Sequence, residues 1–144
     1  MKTAEQKAVD IYSDGYNCAQ AVLGAFCEDL GLDLPAALKL ANGFGGGFRC
    51  GEVCGAVAGA VMVIGLKHGF HVKGDFTQKG ICYNKTAEFN ERFTLENNTL
   101  ICRDLLGLDV WSKDEVIHQK AVELCKTLCP KFVASAARIL ETII

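Results

Sequence analysis

The sequence predicts an all-α fold: one compact domain over residues 1–144, built from about six to eight helices around a buried glycine- and alanine-rich helix. Three observations carry this. No segment alternates polar and apolar residues with the period of a strand, whereas helix-start signals recur along the chain. Half of the 144 residues are apolar and 22% are charged, the balance of a folded chain with a core of its own. One stretch, from about Gly51 to Lys67, is apolar on every side, as expected of a helix enclosed by others.

The elements follow in order. Thr3 and Gln6 form a capping box for a first helix ending near Tyr12. Ser13 to Asn17 make a turn, and a second helix runs from about Asn17 to Leu30, with Val22 and Phe26 on one face. Pro35 suits the first position of a short third helix ending at Asn42. The run Gly43-Phe44-Gly45-Gly46-Gly47 is irregular. In the central helix that follows, Gly51, Gly55 and Gly59 recur every four residues. Each costs roughly 0.8–1 kcal/mol against alanine, so such a stripe needs a reason: the close approach of another backbone or of a cofactor.

A fifth helix is expected between about Ile81 and Leu95, with Cys82, Thr86, Phe89 and Phe93 on one stripe. Thr99 can cap a short helix through Leu106. Ser112 and Glu115 form another capping box, opening a helix with Ile117, Ala121, Leu124 and Leu128 on one side. The last helix starts near Pro130 and turns Phe132, Val133, Ala136, Ala137, Leu140 and Ile144 inward.

Composition also excludes functions. Net charge is −2 and no polybasic run occurs, so nothing favours nucleic acid. The longest uncharged apolar stretch, Cys54–Leu66, is short of the roughly 18 residues of a membrane span, so no membrane insertion is expected. The N-terminus shows no apolar signal segment, and a cytoplasmic chain is expected. The apolar Ile143-Ile144 end and the apolar content leave room for a homodimer.

The eight cysteines are the main clue to function. They are fewer than the roughly 8–10% of a disulfide scaffold, and in a reducing compartment clustered thiols point to redox or metal chemistry. Cys18 follows the Ser13–Asn17 turn, Cys50 falls at the expected N-cap of the central helix, and Cys54 lies one turn on. Cys102 is three residues past Thr99, and Cys129 precedes Pro130 as an N-cap. The first turn of a helix has free N–H groups and the positive end of the dipole, which stabilise a thiolate and can lower its pKa below about 8.5. Converging helix starts would make one electropositive, sulfur-rich site. Cys27 and Cys82 read as small buried hydrophobes. No C-x-x-C occurs, which argues against a thioredoxin-type motif or a zinc ribbon. Cys125 and Cys129 straddle a helix break, which leaves a bridge between them open.

Cys54-Gly55-Ala56-Val57-Ala58-Gly59 reads CGAxxG. It lies between Asn17-Cys18-Ala19-Gln20-Ala21-Val22 and the downstream Ile101-Cys102-Arg103 and Cys129-Pro130-Lys131-Phe132-Val133. This constellation resembles the C-GCAxxG-C-C family of redox-active proteins, some of which carry selenocysteine, over about residues 10–141. The resemblance implies a small bacterial or archaeal redox protein whose signature cysteines are Cys18, Cys54, Cys102 and Cys129. It names no substrate.

Other candidates are weaker. The GFGGGF loop lacks the preceding strand of a dinucleotide fingerprint and the Lys-Ser/Thr of a P-loop, so it reads as a passage for backbone close to the cysteines. His68, His71 and His118 are scattered. His68 falls where a helix C-terminus favours a cation. Trp111 reads as a packing anchor. Glu52 reads as a complement to the dipole, or as a base beside Cys54.

The leading expectation is a thiol-based redox protein acting by thiol/disulfide exchange or electron transfer with a partner protein. Cys54 is the reactive thiol, and Cys102, Cys129 and Cys18 are its partners. Whether it is an enzyme of the thiol-disulfide oxidoreductase kind is left open. A second expectation makes the same four cysteines ligands of an iron–sulfur cluster or zinc, with Cys50 and Cys125 as substitutes and Gly55 and Gly59 admitting the cofactor. A third is a helical adaptor whose cysteines only pack.

Overall fold

The computed structural model describes residues 1–144. It is all-α, as expected, with eight helices: α1 (Ala4–Ser13), α2 (Cys18–Phe26), α3 (Leu34–Ala41), α4 (Gly55–His68), α5 (Phe76–Asn97), α6 (Cys102–Leu106), α7 (Glu115–Thr127) and α8 (Cys129–Ile143). No helix is long and apolar enough to cross a membrane.

The first N-terminal cap works as the sequence implies. Thr3 and Gln6 close a capping box on α1, and Asn17 and Gln20 close a second on α2. Asp33 caps α3, which places Pro35 one residue further in than expected. Helix α2 stops at Phe26 rather than near Leu30. A single 3-10 turn, Glu28–Leu30, follows, and Gly31 ends it at φ 86°. Helix α5 is longer than expected at both ends because Asp75 caps it and only Phe89 and Phe93 are buried, so its first turns carry no apolar stripe to read. Asp114, not Ser112, caps α7; the Ser112 hydroxyl accepts from the Asp114 N–H instead.

Helix α4 packs against α2, α5 and α8, and α1 lies against α2 and α8. The core is built from Val22 and Leu23 of α2, Val63 and Ile64 of α4, the stacked Phe89 and Phe93 of α5, and Val133, Ile139 and Leu140 of α8. Each such side chain contributes about 1.5–3 kcal/mol on burial. Helix α4 is central but not enclosed all round, since Ala58, Val61 and Met62 line an open apolar groove and Leu66 is exposed. Ile143 is buried in the core and Ile144 is partly buried against it.

The glycine stripe is resolved by the α2–α4 contact. A Cβ on Gly59 would stand 2.7 Å from the Ala19 carbonyl oxygen, and one on Gly55 would stand 3.1 Å from the Ala19 nitrogen. The backbone that approaches is therefore α2, and the expectation that Gly59 admits a cofactor is corrected. Gly51 lies outside the helix, at φ 72°.

The glycine loop does not merely wander. Gly46, Gly47, Phe48 and Arg49 all take left-handed conformations, the last two at φ 63° and 60°. Non-glycine residues there cost of order 1–2 kcal/mol each. The turn is held by Trp111, whose Nε1 donates to the Gly46 carbonyl at 2.8 Å, and by the Arg49 guanidinium, 3.9 Å from the Trp111 ring. It delays the start of the central helix to Gly55. Cys54 thus becomes the N-cap, and Cys50, expected there, sits exposed in the loop.

Candidate functional site

Four helices begin with a cysteine or directly after one. Cys18, Cys102 and Cys129 are the first residues of α2, α6 and α8, and Cys54 caps α4. Cys129 is thus one position inside its helix rather than at the cap, and Ile101, not Thr99, is the cap residue before Cys102.

Each start is placed by local bonds. The capping box at Asn17 fixes Cys18, and the Asn17 side chain also donates to the Asn42 carbonyl at 2.9 Å. Val53 and Ile101 form a short antiparallel bridge. The Cys54 N–H donates to the Leu100 carbonyl at 2.8 Å, and the Cys102 N–H donates to the Glu52 carbonyl at 2.6 Å. Glu52 spends its carboxylate on Arg103 at 2.7 Å, so it serves the bridge and not Cys54. Gly47 passes so close that a Cβ there would lie 2.6 Å from the Cys102 Cβ, which is why that position carries no side chain.

All four cysteines line one cavity of about 230 Å³, together with Cys125, Tyr12, Gly46, Gly47, Gly55 and the apolar side chains of Leu105, Leu106, Val110 and Phe132. Gly15 and Tyr16 are exposed and mark its mouth beside the α1–α2 turn. The four sulfur-bearing residues are only 4–9% exposed. Cys50 is outside the cavity, which removes it as a substitute ligand, and Cys27 is fully buried elsewhere, as its packing role requires. All eight cysteines are free thiols.

Electrostatics overturn one expectation. Burial pushes Cys54 up to about 12, although the backbone N–H groups of Ala56 and Val57 favour its thiolate. Burial, then the nearby Cys125 and Asp109, push Cys102 up to about 11. At Cys18 a hydrogen bond with Cys129 favours the thiolate, but burial and the sulfurs of Cys54, Cys102 and Cys125 outweigh it. At Cys129 the hydrogen bond with Cys125 also favours the thiolate, and the one with Cys18 together with burial reverses the balance. Cys125 is raised by its hydrogen bond with Cys129 and by burial. At neutral pH these are protonated thiols. The helix starts lower the cost of a thiolate without making it the resting form.

Tyr12 is the wall residue that sequence reading passed over. Its hydroxyl donates to the Cys125 carbonyl at 3.0 Å, and burial followed by the surrounding sulfurs holds it protonated. The available signal was its place one turn after the buried Ala8 on the inner face of α1. No group of three Cys, His, Asp or Glu side chains is arranged to share one metal ion.

Four helix starts and five thiols thus close on one cavity of a helical bundle. The comparison with known families agrees. The chain matches the family described as "putative redox-active protein (C_GCAxxG_C_C)" over residues 16–143, and it belongs to that family. This membership supports a redox role in general terms. No curated protein and no solved structure matches the chain.

Proposed function

We propose that the protein is a dithiol redox protein that exchanges disulfides with a small reactant inside the cavity. The observation that carries this is the convergence of Cys18, Cys54, Cys102 and Cys129 on one wall-to-wall sulfur site. Cys54 is the entry thiol, because two backbone N–H groups favour its thiolate. Cys102, Cys129 and Cys18 line the same cavity as its resolving partners. Exchange proceeds by thiolate attack on a disulfide sulfur, and the second thiol then displaces the first product. The low exposure of the sulfurs and the small cavity favour a low-molecular-weight disulfide over a protein disulfide as the reactant.

The test is oxidation of the reduced, metal-free chain with 2-hydroxyethyl disulfide, followed by thiol counting and mapping. Thiols lost in pairs, with Cys54 or its three partners among them, are expected. Full retention of all four thiols would remove the proposal.

A second reading rests on the same sulfurs. Five protonated thiols around one cavity wider than a single ion, with no three of them set to share one, suit a multinuclear iron–sulfur cluster better than zinc. Cys18, Cys54, Cys102 and Cys129 would hold it, releasing their protons. Iron content and a charge-transfer band after anaerobic purification from iron-replete cells distinguish the two.

A further inference from the structure

Cys125 stands apart from the four signature positions. It begins no helix but sits in the last turn of α7, and the cavity still receives it. It lines the same cavity as Cys129, which stands just across the α7–α8 junction, and Cys18 and Tyr12 line that cavity too.

On the dithiol reading above, we propose that Cys125 is a fifth redox thiol, and that oxidation comes to rest as a disulfide between Cys125 and Cys129. The pair is four residues apart, across the α7–α8 junction at Leu128. In an unbroken helix the Cβ atoms of such a pair lie about 5–6 Å apart, whereas a disulfide needs about 3.5–4.5 Å. The bond forms only if the junction tightens by about 1–2 Å. This is where the backbone can give. Pro130 has no N–H to offer the Lys126 carbonyl, and the Cys125 carbonyl is held from outside the helix by the Tyr12 hydroxyl.

The steps balance. The Cys54 thiolate attacks a small disulfide, forms a mixed disulfide and expels one thiolate, which takes up the proton Cys54 gave. Cys129 attacks the Cys54 sulfur and releases the second small thiol. Cys125 then attacks the Cys129 sulfur and returns Cys54 to the thiol. Two protein thiols have been oxidised and one small disulfide reduced to two thiols. An external dithiol, consumed in the same way, restores the start.

The full-length reduced protein is titrated with 2-hydroxyethyl disulfide, alkylated and digested with trypsin. Lys126 lies between the two cysteines, so cleavage there leaves the 121–126 and 127–131 peptides joined only by a disulfide. The joined pair is expected as the main product of the wild-type chain. In Cys125→Ser it is lost completely, and the bridge stops at Cys129 with Cys54 or Cys18. Cys125 found fully alkylated while two of the other four cysteines are bridged overturns the assignment and leaves the dithiol reading standing. No bridge among the five overturns both.

Discussion

The two ends of α4 pose the same physical problem and meet it in different surroundings. At the N-terminus, Cys54 faces the positive end of the helix dipole, which favours its anion. At the C-terminus, His68 occupies a place where the dipole favours a cation. Both groups nevertheless rest neutral. Burial raises Cys54, and burial followed by Lys85 and Lys67 lowers His68. A helix end is worth roughly 0.3–1 kcal/mol to a charge at an exposed site, and loss of solvent outweighs that at both ends. The dipole therefore sets how readily Cys54 ionises once a reaction demands it, without setting its resting state.

The packing along α4 is just as unequal, and glycine substitutions break the comparison directly. Gly59→Ala should destabilise by roughly 1–3 kcal/mol, because the new methyl meets the Ala19 backbone and the Val22 Cβ. Chemical denaturation measures this. Next is the alkaline limb of stability. The folded pKa of Cys54 is about 12, above the unfolded value near 9, so the folded state holds its proton longer. Its stabilisation is complete below pH 9 and is lost between about 9 and 12, at about 1.4 kcal/mol per pH unit. Melting temperature across that range should fall less steeply in Cys54→Ala, the other raised cavity thiols keeping the rest of the slope.

At the other end of α4, Gly65 has open space where a Cβ would go, and Gly65→Ala should stabilise by about 0.5–1 kcal/mol in the same denaturation assay. The smallest effect belongs to His68. Its folded pKa lies below the unfolded 6.5, so the unfolded chain binds the extra proton and stability declines as pH falls below about 6.5. That decline should be absent in His68→Gln, as judged by melting temperature between pH 5 and 8.

The helices and the site cysteines were largely legible, and the reason is local. Thr3, Asn17 and Pro35 act within one turn of where they stand, so their effect can be read without the rest of the molecule. The four helix-start cysteines were found for the same reason. What escaped depends on contacts far along the chain. The central helix starts at Gly55 because Trp111 and Arg49 stabilise a left-handed turn that glycine content alone does not specify. The thiol pKa values run opposite to the local rule because six helices meet around the sulfurs. Gly59 looked like room for a cofactor until α2 filled that room, whereas Gly55 lines the cavity.

The clasp between Trp111 and Gly46 has an optical consequence. Trp111 is the only tryptophan of the chain, and its indole nitrogen bonds to the carbonyl of a residue that lines the cavity. Tryptophan emission from the unlabelled protein therefore comes from beside the wall of the sulfur site. A shift to longer wavelength would report water reaching the indole as the loop lifts. Unchanged emission during oxidation would show that small reactants pass through the mouth at Tyr16 with the loop closed.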